Sequence, residues 1–159
     1  MTASFPPWLS AFLKSVEALP ISTWVRTSTF GYPLLEIVHL VGIATLFGTI
    51  LLVDLGVLTR RRKLPVELWG AVVLRLTVTG FLIALLSGVL LLMARASEIG
   101  PNPAFWLKML LLALAGLNAA VFHRTRGLAQ GGFSARLQAA VSILIWIAII
   151  ACGRLIAYV

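Results

Sequence analysis

Cysteine, histidine and carboxylates are all scarce in this chain. Its 159 residues include one cysteine, two histidines and five acidic side chains. A single cysteine excludes an internal disulfide, a CxxC redox pair and a cysteine-rich metal site. That residue, Cys152, lies inside an apolar run. No serine or cysteine stands at a suggestive spacing from a histidine, and no glycine-rich phosphate loop is present. There is therefore no catalytic constellation, and the chain is not expected to be an enzyme on its own. Charge is low at 11% of residues, against about a quarter in soluble domains. Low-complexity tracts and internal repeats are missing too. The first residues lack a basic stretch leading into an apolar one, so no cleavable signal peptide is expected.

What fills the chain is apolar. Hydrophobic residues make up 60%, with a mean hydropathy of +1.04. This composition belongs to an integral membrane protein of one domain. Apolar runs predict spans at about 33–58, 69–94, 104–123 and 137–158. Residues 32–159 form a four-helix transmembrane domain. Residues 1–31 precede it. There Pro6 and Pro7 suit a helix start, and Trp8, Phe12, Val16 and Leu19 recur at helical spacing. This segment is too short to cross and predicts an amphipathic helix lying in the interface. Short connections make neighbouring spans antiparallel. The fold class expected is all-α membrane, an up-down four-helix bundle.

The net charge is +8, but the basic residues sit beside the apolar runs, where they set topology instead of binding nucleic acid. Arg60, Arg61, Arg62, Lys63, Arg124, Arg126 and Arg136 follow spans one and three. Lys14, Arg26 and Arg95 lie on the other side. The richer side should be cytoplasmic. Both termini would then face outward across a bacterial inner membrane.

The run from Tyr32 to Thr59 organises the rest. It breaks its apolarity at Glu36, His39 and Asp54, and ionisable groups inside a span are costly and mark functional candidates. By depth they fall into two sets. Asp54, near the inner end of span one, should meet Arg75, near the start of span two, as a helix-locking ion pair. Asn118 and His123 share that leaflet. In the outer leaflet, Glu36, His39, Lys108 and Arg154 could converge on one pocket, with Trp106 over its entrance. Two cations beside one carboxylate favour a ligand with anionic or redox-active oxygens, such as a quinone carbonyl or a haem propionate. The two histidines lie at opposite depths, so haem b would need His39 alone or with a weaker ligand such as Met109. Copper held by His39, Glu36 and Met109 is the alternative. A third reading makes the charges purely structural, in an assembly subunit of a membrane complex.

The phrases P-L-L-E-I-V-H-L-V-G, G-T-I-L-L-V-D-L, N-P-A-F-W-L-K-M-L-L-L and N-A-A-V-F-H-R resemble an uncharacterised bacterial family of small four-span membrane proteins. The resemblance covers roughly residues 20–159. Its motif positions here are Glu36, His39, Gly48, Asp54, Lys108, Asn118 and His123. The phrase F-W-L-K-M-L-L-L is more distantly similar to the copper-resistance D family of inner-membrane proteins, which implies copper uptake. The leading expectation is a non-catalytic membrane subunit that binds a quinone or redox cofactor in its outer leaflet. Its partners would be the lipid bilayer and a membrane redox complex or a second copy of itself.

Overall fold

The computed structural model describes residues 6–59, 66–124 and 132–158, with the backbone alone for 66–69. The basic cluster Arg60–Lys63, together with Arg126, lies outside the described residues, as do the first five residues of the N-terminal segment. Seven helices are described: α1 (Pro7–Glu17), α2 (Pro20–Thr27), α3 (Gly31–Leu58), α4 (Val66–Ala94), α5 (Ala96–Ile99), α6 (Pro103–Arg124) and α7 (Phe133–Leu155). Four are long and apolar enough to cross a membrane: Gly31–Leu58, Gly70–Ala94, Pro103–Arg124 and Phe133–Leu155. Their outer faces carry residues such as Leu52, Leu86 and Leu144, all about two-thirds exposed. Exposed apolar surface on this scale would be a liability in water and suits lipid.

Prolines mark the starts. Pro7, Pro20 and Pro103 each open a helix, where the missing N–H costs nothing. Pro20 thus begins α2 after a break at residues 18–19. α7 begins at Phe133, four residues before the run read from the sequence, because extended Gly132 supplies its N-cap. Arg136 therefore lies in the first turn of α7, near enough to the end for a long side chain to reach polar surroundings.

α3 and α4 form the most extensive contact, an antiparallel seam in one register. His39 meets Ser87, Gly42 meets Ala84, Gly80 meets Leu46, and Thr77 donates to Thr49 at 2.8 Å. Residues 39, 42, 46 and 49 are spaced three, four and three apart, the spacing that keeps one helix face on its partner. Small residues let the backbones approach, and hydrogen bonds then cross the gap, as expected where lipid removes the hydrophobic drive between helices. α7 packs on both α3 and α6. Leu46, Ala115, Trp146 and Ile149 form the buried centre of the bundle, with Phe47, Ile50, Leu111 and Leu112 around it.

One end of the bundle is tied by polar side chains. Asn102 accepts the N–H of Ala104 at 2.9 Å, an N-cap for α6, and donates to the carbonyl of Ile156 at 3.1 Å. Glu17 accepts the N–H of Ser97 at 2.7 Å and lies 3.9 Å from Arg26. It therefore joins α1, α2 and the start of α5. Arg95 pairs with Glu98 and stands over the Tyr32 ring.

Candidate functional site

α3 delivers His39 to the seam near that tied end. Its Nδ1 is 3.0 Å from the Ser87 hydroxyl. Ser87 in turn donates to the carbonyl of Ile83 at 2.5 Å. A hydroxyl has one proton, and here it is committed to the α4 backbone. The oxygen of Ser87 is then placed to accept from His39, which favours the Nδ1–H tautomer. The Ala84 backbone is the ring's other hydrogen-bonding neighbour, and among the described residues Nε2 has no side-chain hydrogen-bond partner. Gly88 makes the room: a Cβ there would stand 2.9 Å from Cε1 and 3.3 Å from Nδ1 of the ring. A histidine oriented through one nitrogen, with a lone pair on the other, is the arrangement found where the ring serves a ligand.

Lys108 is the second member. It lies one turn into α6, half-buried, with no hydrogen bond or ion pair among the described residues. Its ammonium passes over Gly153 of α7, where a Cβ would be 3.4 Å from Nζ. Cys152 and His39 are both within its electrostatic reach. The structure thus brings His39 and Lys108 within electrostatic reach of each other, with Ser87 and Gly88 beside the first and Cys152 and Gly153 beside the second. Glu36, one turn before His39, is exposed and acts on it only at range.

Two residues expected beside them turn elsewhere. Arg154 is exposed; its guanidinium donates to the Tyr158 hydroxyl at 2.8 Å and stacks on that ring. It lies a 100° step round α7 from Gly153, away from Lys108. Trp106 is exposed, and its indole N–H is held by the carbonyl of Gly100 at 2.9 Å. Met109 is half-buried on α6. Among the described residues, no three of His, Cys, Asp and Glu are grouped closely enough to hold a metal ion. His123 is exposed at the far end of α6, edge-on to Phe122.

The expected ion pair between Asp54 and Arg75 is not formed. Depth alone matched them; helix phase did not. Asp54 is five residues past Thr49, roughly 140° round α3 from the seam. It is buried towards α7, with the Ser142 hydroxyl as its hydrogen-bonding neighbour. Arg75 is two residues before Thr77, roughly 160° round α4 from the seam, and it is exposed. Asp54→Asn and Arg75→Gln should therefore change thermal stability independently. In a double-mutant cycle their effects should add within about 0.5 kcal/mol. A coupling above about 1 kcal/mol would restore the pair.

In the sequence, Ser87 and Gly88 stand out only as small residues that permit close helix approach. The available signal was their register, since they fall opposite His39 when Gly80 falls opposite Leu46. A match to DUF6644, a family of unknown function, runs over residues 23–159. The chain belongs to that family. No curated protein and no solved structure matches it. In this DUF6644 chain the matched region begins within α2 and takes in all four long helices.

Proposed function

We propose that this chain is a non-catalytic subunit of a bacterial inner membrane that binds a quinone between His39 and Lys108. The observation that carries this is the pairing of an imidazole acceptor with an unpartnered ammonium in an apolar bundle. A quinol hydroxyl donates to Nε2, and a quinone or quinolate oxygen accepts from Lys108 in a charge-assisted bond. Haem fits less well, because His123 is at the other end of its helix and offers no second axial imidazole. Copper has no support beyond the distant likeness of one α6 phrase, and among the described residues no three metal-ligating groups are gathered. The remaining alternative, a purely structural subunit, leaves the tautomer of His39 and the free ammonium without a role.

In this reading the domain is an up-down bundle with both termini outside. α1 and α2 lie in the outer interface, with exposed Trp8, Phe12 and Trp24 as anchors. The site then opens in the outer leaflet, where a membrane redox complex could exchange quinone with it. Cysteine labelling from outside intact cells, in a variant lacking Cys152, should modify position 8 and spare position 124. The reverse pattern would move the site to the inner leaflet.

The ligand is tested on the protein purified in mild detergent. An organic extract should contain quinone at near-equimolar amount, and the visible spectrum should lack a Soret band. His39→Ala and Lys108→Met should each lose the quinone while keeping the helical circular dichroism. A Soret band removed by His39→Ala would replace quinone with haem. An extract free of quinone, together with no binding of added decylubiquinone, would leave the structural reading.

A further inference from the structure

A second polar cluster lies in the other half of the bundle, below the apolar centre formed by Leu46, Trp146 and Ile149. Asp54 stands four residues before the end of α3 and is 7% exposed. Its Oδ2 is buried without a hydrogen-bond partner among the described residues. Ser142 of α7 neighbours the carboxyl. One turn earlier on the same face of α7 is Gln138. Its backbone carbonyl accepts from Asn118 at 3.3 Å, while its side-chain Oε1 is also buried without a partner. Among the described residues, two buried acceptor oxygens therefore lack a donor, one on Asp54 and one a turn from its neighbour Ser142.

Among the described residues, no cation around Asp54 supplies one. Arg75 of α4 points away from the seam and is exposed; His123 of α6 is exposed; Arg136 of α7 forms no ion pair with Asp54. A bare carboxylate so placed costs several kcal/mol. A hard metal cation would take about six oxygens, more than the side chains of Asp54, Ser142 and Gln138 present. A proton needs only one donor position and one acceptor.

We infer that Asp54 is a proton-binding site of the membrane domain, carrying a proton on Oδ2 with Gln138 Oε1 as its acceptor and Ser142 orienting the other oxygen. One proton removes the buried charge and satisfies both orphan oxygens. Reversible proton binding at a carboxyl within a bundle is the chemistry of intramembrane proton relays. The cluster is separate from the His39–Lys108 site, and neither reading depends on the other.

The test uses the full chain in detergent with dicyclohexylcarbodiimide, which modifies a neutral carboxyl in an apolar site and spares a carboxylate. Peptide mapping should find the adduct on Asp54 and none there in Asp54→Asn. The yield should fall about tenfold per pH unit at the alkaline end, as for one proton. Gln138→Leu should move that fall to lower pH. Exchanging potassium for sodium should leave the yield unchanged. The infrared difference between wild type and Asp54→Asn reads the same group without reagent access, and a neutral-carboxyl carbonyl band is expected. With that band present, an unlabelled Asp54 reports only a closed path and the inference stands. A wild type lacking the band overturns it, whatever the labelling. Labelling blocked by sodium at fixed pH overturns it in favour of a metal cation.

Discussion

Gly80→Leu should prevent the protein from folding, and Gly80→Ala should already lower its melting temperature. A Cβ at Gly80 would stand 2.7 Å from the backbone nitrogen of Leu46 and 3.0 Å from the carbonyl of Gly42. At Gly42 it would stand 2.6 Å from the backbone nitrogen of Ala84. The atoms in the way are main chain and cannot rotate aside, so α3 and α4 must separate. Overpacking of this kind costs about 1–3 kcal/mol for a small addition and more for a large one. Separation also breaks the Thr77–Thr49 bond and moves Ser87 from His39. Against this, alanine gains about 1 kcal/mol over glycine within a helix. Gly48 and Gly116 isolate that gain, because a Cβ at either meets nothing within 4 Å. Gly48→Ala and Gly116→Ala should therefore be neutral or stabilising, while Gly42→Ala and Gly80→Ala are destabilising. Thermal melts of the four variants in one detergent decide it. Equal effects at all four positions would mean that the seam is not built on glycine.

The same seam shows what was legible in the sequence. Hydropathy and length pointed to four helices long and apolar enough to cross a membrane, since lipid permits few ways to satisfy a backbone. His39, Gly42, Leu46 and Thr49 carry the spacing of a packed face, and Thr77, Gly80, Ala84 and Ser87 mirror it in reverse. Reading both together gives the register, and with it the partner of His39. Depth without phase misleads, as Asp54 and Arg75 demonstrate. Each was placed near the correct level, but each points away from the α3–α4 contact. Arg154 failed for the same reason: a neighbour of Gly153 in sequence lies a third of a turn from it in space. The lone pair on Nε2 was not legible at all, because it depends on where the Ser87 proton goes.

Gly88→Ala should sharply weaken quinone binding without lowering stability, although it adds a single methyl and touches no ligand atom. The new Cβ would meet Cε1 and Nδ1 of His39. Those atoms end a flexible side chain, so the ring can swing away at little cost to the fold. The swing breaks the bond to Ser87, and Nδ1–H is then no longer fixed against Nε2 as the acceptor. Leaving a buried hydrogen-bonding group without its partner costs about 1–3 kcal/mol, or roughly five- to a hundredfold in Kd. Gly153→Val acts in the same way on Lys108, by filling the space over which Nζ passes. Ser87→Ala supplies the third view, since it removes the acceptor for Nδ1–H and leaves the ring its room. All three should weaken decylubiquinone binding, measured by calorimetry in detergent, with melting temperatures close to wild type. Gly116→Ala, facing open space, should bind as wild type does. If Gly88→Ala and Ser87→Ala bind quinone normally, then His39 does not touch the ligand. The histidine would then be a link in the α3–α4 seam, of a kind with Thr49 and Thr77.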